Sequence, residues 1–173
     1  MNLKINSTTE KSDIFSQITS ELSTLGFNID KQDQTRPWGG FFVLDENQAS
    51  AFAALYFPQL EISEIQITNK LSPKILVVAP HKRLSWQYHF RRAEIWKVNA
   101  GTTVGVKISD TDEQSEEVKV LESGSFIQMD TGERHRLIGL DGWGVVAEIW
   151  QHTDPENPSN EDDIMRLQDD FGR

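Results

Sequence analysis

The chain has 173 residues, a formal net charge of -10, 37% hydrophobic residues and 25% charged residues. This composition is typical of one globular domain, and the acidic balance disfavours nucleic acid as a partner because phosphate binding needs a basic surface. The sequence contains no cysteine, no N-terminal apolar signal and no apolar run of the roughly 20 residues that span a membrane. It therefore predicts a cytoplasmic protein with no disulfide and no membrane partner.

An amphipathic helix is predicted over residues 7–26. A hydroxyl side chain at Ser7, Thr8 or Thr9 could cap its start, and Gly26 could end it. Its apolar residues fall on one stripe, namely Ile14, Phe15, Ile18, Leu22 and Leu25. The stripe needs a partner surface, either the rest of the chain or another subunit, so a homodimer is one candidate assembly.

The residues after the helix divide the chain into two parts. Residues 28–35 are polar and are predicted to be a linker. On this basis residues 1–35 form an N-terminal helical segment, and residues 36–173 form the main domain.

The main domain is predicted to be all-β. Short apolar runs separated by glycine-containing or acidic turns predict strands within residues 62–67, 75–79, 103–108, 118–121, 126–129 and 143–150. Residues 49–57 could form either a helical turn or a strand. Residues 160–171 predict a short C-terminal helix, because Ile164, Leu167 and Phe171 have helical spacing. Many short strands favour a sandwich or barrel over a βαβ fold.

One pattern predicts a metal site. Gln87 and His89 are two residues apart, so on a strand their side chains point to the same face. Glu94 follows after a short basic turn, where a returning strand could bring it to that face, and His135 would come from a separate strand. Two imidazoles, a carboxylate and an amide oxygen inside a β-barrel suit one divalent metal ion, with zinc as the first candidate and manganese, iron, cobalt or nickel as others.

These residues resemble the two motifs of the cupin superfamily. The first stretch matches the His-x-His, Glu and Gly skeleton, with Gln87 in the first histidine position and Gly101 at its end. The second stretch runs from Gly124 to His135, with Asp130 where proline is usual. The resemblance implies a double-stranded β-helix, or jelly-roll barrel, flanked by the two short helices.

Within the cupins, one subgroup is similar over most of the chain. The segment LSWQYHFRRAEIW resembles the LSLQ-x-H-x-x-RAEHW segment of type II mannose-6-phosphate isomerases, a subgroup that also carries glutamine in the first ligand position. The segments RPWG, at 36–39, and EDDIMRLQDDFGR, at 161–173, are similar to the opening and closing of that isomerase domain.

The resemblance implies an activity. It implies a metal-dependent sugar-phosphate isomerase of carbohydrate metabolism and polysaccharide biosynthesis, which interconverts mannose 6-phosphate and fructose 6-phosphate. The bifunctional relatives carry a nucleotidyltransferase domain upstream. Residues 1–35 contain no Gly-rich nucleotide loop, so no guanylyltransferase activity is expected.

The resemblance also assigns residues that bind the substrate. Arg92 matches the arginine of the RAE segment and is favoured over Arg91 for binding phosphate or stabilising a developing oxyanion. Lys74 matches a lysine at the start of a family strand and could steer a sugar phosphate. Arg36 and Arg173 are further candidates for substrate binding.

The general base is either Glu148 or Glu133. Glu148 matches a family glutamate on the last strand and lies among apolar residues, where an unpaired carboxylate is costly to bury. Glu133 lies two residues before His135 and would share its face if that stretch is extended. His81 and His152 fit neither motif and are expected at the surface.

Three positions depart from the family pattern. Ile95 and Phe90 stand where histidine is common, and Trp150 stands where glutamine is usual. Trp86, Trp96 and Trp150 are expected to be core residues more than sugar platforms. The departures favour a second hypothesis, a non-catalytic cupin that binds a sugar or sugar nucleotide. A third is another metal-dependent cupin enzyme, such as a dioxygenase or a sugar epimerase.

Overall fold

The computed structural model describes residues 1–172, so the predicted substrate-binding residue Arg173 lies outside the described residues. In chain order the elements are α1 (Lys11–Thr24), β1 (Ile29–Asp33), β2 (Gly39–Leu44), α2 (Ala49–Tyr56), α3 (Ile62–Ile65), β3 (Lys74–Val78), β4 (Trp86–Tyr88), β5 (Arg92–Val98), β6 (Val104–Ser109), β7 (Lys119–Leu121), β8 (Phe126–Met129), β9 (Arg134–Gly139), β10 (Gly144–His152) and β11 (Met165–Gln168). Within residues 1–172, no helix combines the length and the apolar character that crossing a membrane requires.

The strands form two antiparallel sheets. The large sheet has the order β1-β2-β3-β10-β5-β8, and the small sheet has the order β11-β4-β9-β6-β7. Apolar residues from both sheets share one interior core, including Leu76, Trp96, Val98 and Val146 from the large sheet and Val104, Val106 and Leu137 from the small sheet. The fold is therefore the cupin-type jelly-roll barrel that the motifs predict.

The other face of the large sheet carries a second core. Strand residues alternate between faces, so Leu76 and Val78 of β3 face the interior core while Ile75 and Val77 face the helices. Helices α1 and α2 cover this outer face with buried residues that include Ile14, Ile18, Leu22, Phe52 and Ala53. The partner surface of the α1 stripe is therefore the chain's own sheet.

Alanine at Leu22 is expected to lower the free energy of unfolding by about 2–5 kcal/mol, because the fully buried side chain leaves a cavity between α1 and the sheet. Leu25 was predicted to belong to the same apolar stripe, but it is 40% exposed. Leu25→Ala is thus the matched control, with an expected change within about 0.5 kcal/mol. Urea unfolding of the two variants measures both effects, and equal losses would contradict this packing.

The end of α1 agrees with the sequence prediction, but its start does not. Gly26 has a positive φ of 81°, and the Phe27 amide donates to the Leu22 carbonyl, which closes the helix. The helix begins at Lys11 rather than at residue 7, and its N-cap residue, Glu10, makes no side-chain cap. The predicted capping hydroxyls at Thr8 and Thr9 instead bond to the Asn6 side chain in a preceding turn.

Two predictions between α1 and β3 are wrong. The predicted linker contains β1, which pairs with β2 at the edge of the large sheet. An edge strand with both faces largely exposed needs no apolar alternation, so its polar sequence gave no strand signal. The predicted strand over 62–67 contains the short helix α3, in which Ile65 is buried. Residues 49–57 could be a helical turn or a strand from the sequence, and residues 49–56 form helix α2. The domain boundary at residue 35 stays a prediction.

The predicted C-terminal helix is also wrong. Met165 and Arg166 pair with Tyr88 and Gln87, so this segment is strand β11 at the edge of the small sheet. All four residues of β11 are exposed, so its sequence shows no alternation of apolar and polar residues that would indicate a strand. The helical spacing of the apolar residues was therefore the stronger signal. Phe171 does pack against the interior core from beyond the strand.

Candidate metal centre and substrate cavity

The barrel interior changes from polar to apolar along each strand. On β5 the interior-facing residues are, in order, Arg92, Glu94, Trp96 and Val98, and on β10 they run in the opposite direction from Val146 through Glu148 and Trp150 to His152. Antiparallel pairing therefore gathers the ionisable side chains at one end of the barrel. The predicted metal residues lie at this end.

Both sheets contribute to the predicted metal residues. Gln87 on β4 pairs directly with His135 on β9, and His89 follows the end of β4. Glu94 comes from β5 in the large sheet. The Gly132 amide donates to the His89 carbonyl, which ties the turn before β9 to the end of β4. All of these ligand candidates are buried.

The side chains of His89, Glu94 and His135 converge. Glu94 Oε1 lies 3.0 Å from His89 Nε2, and Glu94 Oε2 lies 3.2 Å from His135 Nε2. The three candidate ligand atoms lie within 4.8 Å of one another. Gln87 Oε1 accepts a hydrogen bond from Ser85 Oγ at 2.6 Å and keeps a second lone pair.

The tautomers of both histidines follow from their partners. His89 Nδ1 lies 2.6 Å from the Asp163 carbonyl oxygen, and His135 Nδ1 lies 2.9 Å from the Glu133 carbonyl oxygen. A carbonyl oxygen only accepts, so each Nδ1 carries a proton and each neutral imidazole turns an Nε2 lone pair toward Glu94. This is the arrangement in which a second hydrogen bond orients a metal-binding histidine.

Two buried polar atoms in the cluster have no hydrogen-bond partner. Glu94 Oε2 and His135 Nε2 are close, but they do not form a hydrogen bond. Burial disfavours the charge on Glu94, but its interactions with His89 and Arg92 outweigh burial and hold the pKa of Glu94 well below its ordinary value. An ionised carboxylate that faces imidazole lone pairs is stabilised by a cation, either a proton on an imidazole or a metal ion, and the two nitrogen donors and the carboxylate fit a divalent metal ion.

The two imidazoles differ in their pKa. Burial lowers the pKa of His89 below its ordinary value, and the Glu94 carboxylate only partly opposes this. Burial also disfavours the charged form of His135, but its contact with Glu94 outweighs burial and raises the pKa of His135. In the absence of a metal ion, His135 is thus the imidazole that a proton favours.

Arg92 lies at the same end of the barrel as the predicted metal residues. It is the first residue of β5 and is buried. Its guanidinium donates to Glu94 Oε1 at 2.9 Å, Ser159 Oγ at 2.9 Å, the Asn160 carbonyl at 3.0 Å and the Asp163 carbonyl at 3.3 Å. The group also lies 3.6 Å from the centre of the Trp150 ring. Of the two roles predicted for Arg92, phosphate binding and stabilisation of a developing oxyanion, these buried contacts beside Glu94 favour the second.

A cavity of about 290 Å3 opens beside the cluster. Its wall includes Gln87, Glu94 and Glu148, and five basic side chains, namely Lys31, Arg36, Lys74, Arg92 and Arg166. An excess of basic residues in one cavity contrasts with the net charge of -10 for the whole chain. The cavity thus favours a small anionic ligand.

Glu148 occupies the cavity wall as a buried carboxylate. Its Oε1 accepts from the Trp150 indole at 2.8 Å, and its Oε2 accepts from the Trp96 indole at 2.9 Å. Burial and, next, the negative charge of Glu94 raise the pKa of Glu148 to about 7, although Lys74 opposes them. A carboxyl group with this pKa can both take and return a proton near neutral pH.

The structure does not bring Glu133, the other candidate base, to the cavity. Its carboxylate accepts from the Asp130 amide at 2.9 Å in the turn before β9, and it is not part of the cavity wall. Its backbone carbonyl is what reaches the site, through His135 Nδ1.

The predicted substrate-binding cations occupy different depths. Lys74 on β3 pairs with Glu148 across the sheet, and its ammonium lies 3.7 Å from the centre of the Trp150 ring. Arg36 is more exposed and lies near Asp33, with 2.8 Å between its Nε and a carboxylate oxygen. Arg91 is not in the cavity wall and donates to the Asn157 side chain.

His152 was predicted to lie at the surface, and this prediction is wrong because it is buried. Its Nδ1 accepts from the Ser159 amide at 3.0 Å, and burial lowers the pKa of His152 to about 4. The alternation along β10 held the missing signal, because Glu148, Trp150 and His152 are two residues apart and share a face.

Asp163 was also missed as a site residue. This buried carboxylate accepts from Ser159 Oγ at 2.6 Å and from the amides of Phe90 and Arg91 at 3.1 Å each. Its carbonyl oxygen meets His89 and Arg92. The segment before β11 therefore fixes the turn that carries His89, the first histidine of the predicted metal site.

Asp163→Ala is expected to lower the free energy of unfolding by roughly 2–4 kcal/mol, because it leaves buried donors without their acceptor. The control is Asp162→Ala, an exposed neighbour for which a change within about 0.5 kcal/mol is expected. Urea unfolding compares them, and matching midpoints would show that Asp163 does not anchor the segment.

The two facing sheets and the His-Glu-His cluster at one end of the barrel define the chain as a cupin. The family described as mannose-6-phosphate isomerase C-terminal matches residues 48–169, and the chain belongs to this family. Mannose-1-phosphate guanylyltransferase from Salmonella montevideo is 29% identical over 119 residues, which are 69% of this chain and 23% of that protein. The chain thus matches about a quarter of the length of this relative.

Solved structures support the fold alone. The capsular polysaccharide assembling protein CapF from Staphylococcus aureus is 14% identical, with a TM-score of 0.53 over 91% of this chain and 37% of its own. Vicilin from Corylus avellana, the hazelnut, is 16% identical, with a TM-score of 0.53 over 82% of this chain and 36% of its own.

Proposed function

We propose that this cupin is a metal-dependent sugar-phosphate isomerase that interconverts mannose 6-phosphate and fructose 6-phosphate. One observation carries the proposal: Glu148, whose pKa is raised to about 7, shares a small basic cavity with Glu94 of the His-Glu-His cluster. Membership of the mannose-6-phosphate isomerase C-terminal family supports the choice of sugar phosphate as the substrate class.

Gln87, His89, Glu94 and His135 would hold one divalent cation, with zinc as the first choice for two imidazoles and two oxygen donors. When bound, the cation would supply Lewis-acid polarisation of the oxygens on the first two carbons of the sugar. The Nδ1 hydrogen bonds to backbone carbonyls keep both imidazoles in the orientation and tautomer that binding requires.

Glu148 would move the proton. An aldose–ketose isomerisation transfers a proton between the first two carbons through an enediol, and one carboxylate can serve both half-reactions. From mannose 6-phosphate, Glu148 would remove the proton from the second carbon and return it to the first, while the hydroxyl proton on the oxygen of the second carbon passes to the oxygen of the first carbon. The indole donors of Trp96 and Trp150 hold the carboxylate in place.

The basic side chains would divide between the two ends of the substrate. Arg92 is held beside Glu94 and would stabilise negative charge that develops on the enediol oxygens. Lys74 would bind the phosphate, and Arg36, which is more exposed, would add positive charge nearer to solvent. This arrangement assigns Arg92 to the reacting end and not to the phosphate end.

The second candidate function is a non-catalytic cupin that binds a sugar or sugar nucleotide. Of the three departures from the family pattern, Trp150 lines the cavity, whereas Ile95 packs in the helical core and Phe90 is exposed. The alternative is therefore favoured by one substitution at the site, Trp150, and not by three.

An isomerase assay on metal-loaded protein across several phosphosugars separates the two functions. Turnover of mannose 6-phosphate, lost on chelation and restored by metal, supports the isomerase. Binding of a sugar nucleotide without turnover of any phosphosugar supports the alternative.

A further inference from the structure

An ion pair spans the edge of the cavity. The Lys74 side chain is 7% exposed and comes from the barrel wall, and its ammonium lies 2.5 Å from Glu161 Oε1. The Glu161 side chain is 67% exposed and comes from the connection between β10 and β11. A buried cation of the cavity is thus neutralised by a carboxylate that reaches in from outside the barrel.

Lys74 has a second negative neighbour, but that group is already engaged. Glu148 accepts two indole hydrogen bonds and has its pKa raised to about 7, so it is only partly ionised near neutral pH. The Lys74 ammonium outweighs burial and lowers the pKa of Glu161, which therefore stays ionised. The full negative charge that faces Lys74 is that of Glu161.

The backbone around Glu161 is anchored while its side chain is not. The backbone carbonyls of Asn160 and Asp163 both accept from the Arg92 guanidinium. These bonds fix the backbone on both sides of Glu161. Its exposed side chain can turn to water by side-chain rotation, at the cost of one ion pair and without movement of the barrel.

We propose that Glu161 is a built-in competitor for an anion site at Lys74. Its carboxylate occupies the position that a phosphate group takes, and it turns out to solvent when phosphate binds. The inference rests on the proposed function in that the phosphate is taken to be that of the substrate. It adds a residue whose presence weakens binding, and it assigns inorganic phosphate as a ligand of the same position.

The competition has a consequence for selectivity. A monoanionic carboxylate offers Lys74 little more than Glu161 already does, so such ligands gain little from the exchange. A phosphate dianion carries more charge and three acceptor oxygens, so it can displace Glu161. The ion pair therefore filters the anions that enter the cavity.

Glu161→Gln is expected to tighten the binding of inorganic phosphate by roughly five- to tenfold, because the charged carboxylate no longer competes with phosphate for Lys74. Glu161→Ala, which leaves no amide to contact Lys74, is expected to tighten it at least as much. Isothermal titration of the full chain with phosphate at constant ionic strength measures both.

Two further variants complete the test. Asp162→Asn removes the same charge from an exposed neighbour, and its phosphate affinity is expected to stay within about twofold of the parent. Lys74→Met keeps the length of the buried side chain without its charge, and it is expected to abolish the gain when combined with Glu161→Gln.

The inference is overturned if neither Glu161 variant binds phosphate more tightly than the parent, including the case in which none of the proteins binds it. It is also overturned if Asp162→Asn tightens binding equally, or if the gain survives Lys74→Met. The isomerase assay is run on the same samples. If no phosphosugar is turned over but the phosphate affinities are as expected, the proposed reaction is wrong and the competition between Glu161 and phosphate at Lys74 is still supported.

Discussion

Alanine at both His89 and His135 is expected to abolish tight divalent metal binding while the barrel stays folded. The two Nε2 atoms are the nitrogen donors of the predicted site, and without them Glu94 and Gln87 provide only oxygen. Zinc affinity is expected to fall by at least about a thousandfold, since the affinity of such sites depends on the complete donor set. Arg92 remains beside Glu94, so the variant does not bury an unpaired charge.

Metal content after zinc loading and dialysis measures this effect, with circular dichroism as the check on folding. The parent is expected to retain one ion per chain. His81→Asn is the matched control, because His81 is exposed and its positive φ of 56° suits asparagine. Equal zinc content in the double variant and the parent would show that His89 and His135 do not bind the metal ion.

Glu148→Gln is expected to lower the isomerase rate by about 10²- to 10⁴-fold, the usual contribution of a positioned base. The substitution keeps the size of the side chain and one acceptor for the two indole donors. Glu133→Gln is the control for the other candidate base. Its carboxylate contacts the Asp130 amide outside the cavity, so a change within about twofold is expected. A larger loss at Glu133 than at Glu148 would reverse the assignment.

The pH dependence of the rate follows from the same residue. The base acts in its ionised form, so the parent rate is expected to rise with pH as Glu148 ionises. Stability should change in the opposite direction. The folded pKa lies above the ordinary value of 4.5, so the native state binds more protons than the unfolded state between pH 4.5 and about 7, and stability falls as pH rises through that window.

The expected size of this stability change is about 3 kcal/mol in metal-free protein, since each pKa unit corresponds to about 1.4 kcal/mol. Glu148→Gln lacks this ionisation, so its stability relative to the parent should be higher at pH 8 than at pH 5. Urea unfolding at the two pH values measures the difference between parent and variant. Parallel changes in the two proteins would show that Glu148 ionises as an ordinary glutamate.

The metal-site prediction rests on a short-range rule. Gln87 and His89 are two residues apart, and the strand period alone places them on one face. Their meeting with His135 and Glu94 required the cupin resemblance, because contacts between separate strands cannot be derived from spacing. The ligand atoms of three of the four candidates, His89, Glu94 and His135, converge in the structure.

The contacts around the metal residues were harder to predict. Arg92 points inward because Ser159, Asn160 and Asp163, which lie about 70 residues further along the chain, supply its acceptors. Nothing in the local sequence of the turn specifies those partners. His152 was misjudged for a different reason, because it was considered alone and the alternation along β10, which puts it on the same face as Glu148 and Trp150, was not applied to it.

Two strands, β1 and β11, were missed for a common reason. Strands β1 and β11 lie at the edges of their sheets and are largely exposed, so backbone pairing and not apolar alternation determines them. Periodicity detects burial, and these strands bury little. The interior strands β3 and β10 carry long runs of buried residues, and both were predicted from the sequence.

Proton NMR of mannose 6-phosphate in D2O with zinc-loaded protein tests the isomerase most directly. Transfer of a proton through Glu148 should convert the substrate to fructose 6-phosphate and introduce solvent deuterium at the first carbon, because the carboxyl proton can exchange with water between the two half-reactions. The expected result is conversion with deuterium incorporation in the parent and loss of both in Glu148→Gln. A zinc-bound parent that neither converts nor labels mannose 6-phosphate would contradict the proposed function.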